Sequence, residues 1–270
     1  MEARKRGGLI PGAYSPRFIR GFGWYTRRLL RKRFHAVRQA HDGADLLSLQ
    51  AESERPMLVL ANHPSWWDPL ICFFVHRLFM PGRTGCAPID SMQLEKFRFF
   101  RRLGLFGIDP EDPEAQDVLV EYVLGHFTQE RRSTCWITPQ GRFTDVREPV
   151  RIRPGAANIA ARAAQPQVFS MAIEYGFWQD ARPEVFLRLA EVPDAASRTD
   201  WMRSMKQAMQ QNLDSLRELV VAREPSAFRL LLGAGAAGRQ GAVNPLYEFW
   251  LRLRGQRSTI EVDSSGRSVS

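Results

Sequence analysis

The sequence predicts an α/β protein: one mixed-sheet domain flanked by helices and preceded by a basic amphipathic helical arm. Three observations carry this expectation. Short, continuously apolar segments alternate with longer segments of helical periodicity, the pattern of strands joined through helices. The composition, 44% hydrophobic and 25% charged over 270 residues, is that of a globular chain and excludes disordered and collagen-like classes. Positive charge is also concentrated at one end: the whole chain carries +9, yet residues 1–38 hold eleven Lys or Arg and a single acid, leaving the remainder close to neutral.

Within the arm, Phe18, Phe22, Tyr25 and Leu29 recur at spacings of four, three and four, and Trp24, Leu30, Phe34 and Val37 widen the apolar surface. A helix of this kind lies on an anionic membrane, carries a basic face to nucleic acid, or packs on its own domain; a mitochondrial presequence is a lesser alternative. Aromatic residues interleaved with arginines favour the membrane, with Arg27, Arg28, Arg31 and Lys32 as the docking cations. The nucleic-acid reading rests on the basic arm alone.

His41 to Asp45 reads as a turn. Met57 to Ala61 is a short buried strand by its unbroken apolar character, and Gly85–Ile89, Ser133–Thr138, Val168–Tyr175 and Val185–Glu191 are further strands. Helices fall between them. Pro69–Phe79 starts after Asp68 as N-cap, with proline at its favoured first position. Asp117–Arg131 and Gly155–Gln165 follow, and Trp201–Arg223 carries Trp201, Met205, Met209, Leu213, Leu216 and Val220 on one face. The pattern divides the chain into an arm over 1–45, an α/β domain over 46–255 and a serine-rich tail over 256–270. Gly233 to Gly238 matches the dinucleotide spelling GxGxxG, but Asn244-Pro245 leaves no room for the helix that would carry a pyrophosphate, so it reads as a Gly/Ala loop.

Several classes are excluded. The longest uninterrupted apolar run, Leu70 to Val75, is far below the roughly 18–20 residues that span a bilayer. The basic N-terminus lacks the apolar core of a secretory signal. Cys72, Cys86 and Cys135 form no CxxC pair, which argues against a disulfide framework or zinc site and makes a reducing cytosol the default.

The chemistry is concentrated where the strand Met57–Ala61 opens into Asn62-His63-Pro64-Ser65-Trp66-Trp67-Asp68. Strand ends are where α/β folds place active sites. A neutral histidine takes a proton from a hydroxyl, and a carboxylate on its other nitrogen orients it and stabilises the imidazolium. By spacing alone, Asp68 is equally a helix cap, or does both. Trp66 and Trp67 pack the loop or line an acyl or lipid entrance.

His63 and Asp68 resemble the His-x4-Asp signature of the glycerolipid acyltransferase family, typified by the 1-acylglycerol-3-phosphate acyltransferases. Three later blocks appear in order: Phe97 through Leu105-Phe106-Gly107-Ile108-Asp109, then Trp136-Ile137-Thr138-Pro139-Gln140-Gly141-Arg142, then Pro154-Gly155-Ala156-Ala157 with Pro166 to Ile173. The resemblance spans about residues 57–175, and four blocks in order are far more specific than one. It implies a divergent acyltransferase in which His63 is the general base, oriented by Asp68, on a lipid hydroxyl that attacks an acyl thioester. Gln140, Gly141 and Arg142 would hold the acceptor. Acyl-CoA or acyl carrier protein would be a cosubstrate, with no metal or bound cofactor, at the cytoplasmic face of a membrane. No GxSxG nucleophile motif is present, which agrees with direct transfer.

The departures are informative. Gln140 replaces the family's glutamate, Phe143 stands at the arginine position with Arg142 one place earlier, and Pro110 follows the Ile-Asp pair where arginine is usual. The resemblance implies that those arginines would hold the phosphate of a glycerophosphate acceptor, and neither proline nor phenylalanine can. A glycolipid or glycosylated isoprenoid is therefore expected, with a lysophospholipid acceptor or a non-catalytic membrane scaffold as alternatives. Ser170 replaces a usual proline, which questions the local strand geometry. Phe97 to Arg102 is an ordinary helix with snorkelling arginines or a second membrane-facing patch.

Overall fold

The computed structural model describes residues 8–130 and 132–233. In chain order the elements are α1 (Pro16–Arg33), β1 (Ala36–Ala40), α2 (Leu46–Leu49), β2 (Met57–Ala61), α3 (Asp68–Phe79), β3 (Thr84–Asp90), α4 (Ser91–Lys96) and a 3-10 turn (Arg98–Leu103). They continue as β4 (Leu105–Ile108), α5 (Ala115–Gln129), β5 (Ser133–Ile137), α6 (Gly155–Arg162), β6 (Gln167–Gly176), β7 (Glu184–Glu191), α7 (Arg198–Ala222) and β8 (Phe228–Gly233). All eight strands form one sheet in the order β4-β3-β5-β2-β6-β7-β1-β8. The first five in that order run parallel to one another; β7 is antiparallel to β6, β1 is parallel to β7, and β8 is antiparallel to β1.

Strand β2 shows why both faces must be covered. Leu58 and Leu60 enter one core with α5, α6 and α7, and Met57, Val59 and Ala61 enter the other with α1, α2 and α3. A strand buried on both faces is continuously apolar, as its sequence is. The six-residue stripe expected on the last long helix is wholly buried on α7, and Ser197 caps that helix by accepting from the Asp200 N–H. Truncating one of its leucines, such as Leu213, carries the cavity cost of about 2–5 kcal/mol.

The sequence boundaries need four corrections. Residues 36–40, counted by charge within the arm, are a strand between β7 and β8, because Ala36, Val37 and Ala40 are buried and Arg38 pairs with Glu184. Strands β4 and β8 are additional to the five that the pattern predicts; in the sequence they show only as a motif block and an apolar run. Helix α6 stops at Arg162, and Gln165 beyond it takes a positive φ of 46°. At Ser170 the strand is regular, paired with Leu60 on one side and Ala190 on the other, and its carbonyl and hydroxyl accept from Asn212 of α7. Positions 234–238 of the GxGxxG pattern and the tail from Gln256 lie outside the described residues; Gly233 itself ends β8.

The arm helix α1 is packed on the domain along one stripe, with Ile19, Thr26 and Leu30 buried. Phe22 meets Phe73 of α3 at 5.2 Å between ring centroids and Phe99 of the 3-10 turn at 6.1 Å. The opposite face of α1 remains exposed. No helix among the described residues is long and apolar enough to cross a membrane.

Candidate active site

The crossover β2–α3–β3 moves one way along the sheet over one face, and β5–α6–β6 moves the other way over the opposite face. Both therefore have the same hand, as parallel crossovers do. Their loops diverge between the neighbouring strands β2 and β5, and the carboxyl ends at such a switch point are where sheets of this kind bind ligands.

Asn62, buried after β2, extends that strand's pairing with its side chain. Its Nδ2 donates to the Ile173 carbonyl at 2.9 Å and its Oδ1 accepts from the Ile173 N–H at 2.7 Å. The next peptide is clamped by the segment after β5: the His63 N–H donates to Gln140 Oε1 at 3.0 Å, and the His63 carbonyl accepts from the Thr144 N–H at 2.9 Å. Gln140, expected to bind acceptor, thus spends one oxygen on positioning the histidine backbone.

His63 Nδ1 lies 2.8 Å from Asp68 Oδ2. Asp68 is fully buried, whereas 19% of the His63 side chain is exposed. Asp68 Oδ2 also accepts from the Ser65 N–H at 2.9 Å, and Oδ1 accepts from the Tyr175 hydroxyl at 2.6 Å. A carboxylate only accepts, so the proton of neutral His63 sits on Nδ1 and Nε2 presents a lone pair. Among the described residues Nε2 has no hydrogen-bond partner.

The carboxylate does not cap α3, contrary to expectation. Trp67 is the N-cap, without a side-chain cap bond, and Asp68 is the first helical residue. The carboxylate is turned back toward His63 and Ser65 instead. Burial, then the charge of Asp68, pushes the Tyr175 hydroxyl well above its usual range. The same two causes push up the Cys72 thiol one turn along α3, which keeps it protonated and unsuited to act as a nucleophile.

Around this pair the third-block residues separate. Gly141 closes a tight turn, its N–H donating to the Thr138 carbonyl at 3.0 Å, and adopts a positive φ of 67°. A Cβ there would stand 2.6 Å from Arg153 Nε, so the bare glycine makes room for that guanidinium. Arg142 is exposed and stands 3.9 Å from Glu148, while Arg147 grips both oxygens of Asp145. Phe143 lies over His63, ring centroids 4.3 Å apart, and is 54% exposed. Trp66 is exposed, whereas Trp67 is half-buried and packs edge-on against Phe34 at 5.2 Å. Arg27, Arg28, Arg31 and Lys32 are exposed on α1.

Sequence reading missed three residues. Tyr175 was legible only as the end of a strand, although its alternation with Met171 and Ile173 puts it on the α3 face. Thr144 gives no signal, because it acts through its backbone. Arg153 precedes the fourth block, and its guanidinium has no hydrogen bond or ion pair among the described residues. Among those residues, no group of three or more His, Cys, Asp or Glu is arranged to hold a metal ion.

The family model described as acyltransferase matches residues 39–174, half of the chain, from β1 into β6. The match includes His63, Asp68, the turn at Gly141 and Arg153. No curated protein matches the chain.

Proposed function

Because the chain belongs to the acyltransferase family, we propose that it moves an acyl chain from a thioester to a hydroxyl of a membrane lipid, with His63 as general base. The observation that carries this is the 2.8 Å contact of His63 Nδ1 with buried Asp68, which leaves Nε2 without a hydrogen-bond partner among the described residues on a side chain that is 19% exposed. Nε2 takes the proton of the acceptor hydroxyl as its oxygen attacks the thioester carbonyl. The tetrahedral adduct collapses, the carbon–sulfur bond breaks, and the imidazolium returns the proton to the departing thiolate. Base catalysis of this kind contributes about 10²- to 10⁴-fold.

The acceptor is a lipid hydroxyl without a simple glycerophosphate head, such as a glycolipid or glycosylated isoprenoid. Phe143 offers an aromatic face, not a guanidinium, beside the base; of the two arginines that could compensate, Arg147 is held by Asp145, and Arg142 is exposed and stands 3.9 Å from Glu148. One observation favours a second reading. Arg153, packed against Gly141 with no partner among the described residues, is a cation suited to a phosphate and would serve a lysophospholipid acceptor.

Docking on an anionic bilayer is supported by the outer face of α1. Trp24 and Tyr25 are exposed beside Arg27, Arg28, Arg31 and Lys32. Tyr25, Phe22, Phe18 and Phe99 form a continuous ring cluster, with Arg102 over Phe18. Cations near such a surface contribute about 1 kcal/mol each.

The test is thiol release from a panel of acyl-CoA and acyl carrier protein donors, with membrane lipid extract as acceptor, in the wild type, His63→Ala and Asp68→Ala. Extract-dependent release that both variants lose supports the reading, and mass spectrometry of the product names the acceptor. Equal rates in all three proteins, with vesicle binding retained, would leave a non-catalytic scaffold. Binding to DNA or RNA that falls steeply with salt, without binding to anionic vesicles, would instead mark a nucleic-acid protein.

A further inference from the structure

We infer that Tyr175 is a positioning residue of this site, acting through Asp68 to hold the orientation and tautomer of His63; the inference rests on the reading of His63 as base. Tyr175 lies near the end of β6, two residues beyond Ile173, whose backbone is tied to Asn62 on both sides. Its place relative to the catalytic loop is therefore set by the sheet and not by the loop itself. From there the hydroxyl donates to Asp68 Oδ1 at 2.6 Å, the usual length for a hydroxyl bonded to a carboxylate.

The consequence follows from the geometry of a carboxylate. With Oδ1 tied to Tyr175 and Oδ2 shared by the Ser65 N–H and His63 Nδ1, the plane of the carboxylate cannot turn without breaking one of three bonds. A bond to a rotating carboxylate would leave the imidazole free to exchange tautomers, and the tautomer with hydrogen on Nε2 cannot accept a proton there. The ring of Tyr175 is fixed in turn. Phe34 lies against it at 5.9 Å and against Trp67 at 5.2 Å, so the three rings pack as one cluster. Cys72 is the other titratable group beside Asp68, and burial keeps it neutral. Three elements thus meet on one carboxylate: the loop supplies Ser65, α3 supplies Asp68 itself, and β6 supplies the group that stops it turning.

Tyr175→Phe keeps the ring and removes the donor. The expected result is a kcat lower by about ten- to a hundredfold, the range for a hydrogen bond to a charged group, with the thioester KM unchanged. In an Asp68→Asn background the same substitution has little further effect, because the two act as one unit. The 15N resonances of the His63 ring give a readout that does not need turnover: a single form protonated on Nδ1 in the wild type, and a mixture of tautomers in Tyr175→Phe. Phe34→Leu loosens the ring packing without removing the donor, and leaves the tautomer single. A Tyr175→Phe protein with wild-type kcat and an unchanged His63 tautomer overturns the inference. So does a further loss of kcat of about ten- to a hundredfold when Tyr175→Phe is added to Asp68→Asn. If the wild type transfers no acyl group, the proposed activity fails, while the ring resonances still decide the role of Tyr175.

Discussion

Phe143 lies over His63 with ring centroids 4.3 Å apart and an interplanar angle of 34°. The aromatic side chain covers one face of the imidazole and presents the rest of its surface to solvent. Replacing it therefore alters what can approach Nε2 more than it alters the fold. Phe143→Ala is expected to lower kcat/KM about tenfold for the native lipid acceptor, with a melting temperature within a few degrees of wild type. Phe143→Arg is expected to raise the relative rate on lysophosphatidic acid. Competition between a neutral glycolipid and lysophosphatidic acid measures both, and an unchanged ratio in both variants would remove Phe143 from acceptor choice.

His76 gives the fold a pH dependence with a definite sign. It is buried on α3, accepts from Trp136 Nε1 at Nδ1 over 3.1 Å, and donates from Nε2 to the Arg83 carbonyl at 3.0 Å. Burial, joined by the nearby Arg77 and Arg83 and opposed by the bond to the Arg83 carbonyl, lowers it from 6.5 to about 4. The unfolded chain therefore takes up this proton first. Stability is fully present above pH 6.5, falls as pH drops toward 4, and levels off below, with a total of about 3 kcal/mol from this group. Urea unfolding between pH 4 and 7 should show that slope, and His76→Gln should flatten it.

Gly141→Ala tests the turn after β5. The position has φ of 67°, and the added methyl group would stand 2.6 Å from Arg153 Nε and 2.9 Å from its Cδ and Cζ. The left-handed backbone alone costs about 1–2 kcal/mol. The arginine must also move, and the turn carries Gln140, which holds the His63 peptide. We expect a melting temperature lower by about 2–6 °C and a kcat reduced more than the stability loss explains. Thermal melts beside initial rates at 15 °C separate the two effects.

Vesicle binding should follow the outer face of α1. Reversing Arg27, Arg28, Arg31 and Lys32 to Glu is expected to abolish binding to vesicles containing anionic lipid, while the fold stays intact because all four are exposed. Trp24→Ala, removing a side chain that is 69% exposed, should weaken binding without changing its salt dependence. Flotation at two salt concentrations reads both outcomes.

Much of the architecture was legible because burial on two faces forces a recognisable pattern. Met57–Ala61 is apolar at every position, and α7 places six apolar residues on one face, so period and run length alone located both. The strand Ala36–Ala40 was not legible. Arg38 interrupts it, and the buried Glu184 that compensates the arginine lies far along the chain. Likewise Asp68 followed by Pro69 spells a helix cap, and only the carboxylate's partners show that it serves His63 instead.

The sequence by itself determined the fold class, because periodicity is a local property that short-range sterics turn into strand and helix, and it offered His63 and Asp68 as a pair through the resemblance of four ordered blocks, since their spacing alone also spells a helix cap. It also marked Gln140, Gly141 and Phe143 as departing or retained positions of one block. What surrounds the pair was decided only by tertiary structure. Gln140 reaches the His63 N–H across 77 positions, and Tyr175 reaches Asp68 across 107. Contacts at that separation exist only after β5 and β6 have paired on either side of β2, because strand register brings their carboxyl ends level and leaves no spelling in the residues between.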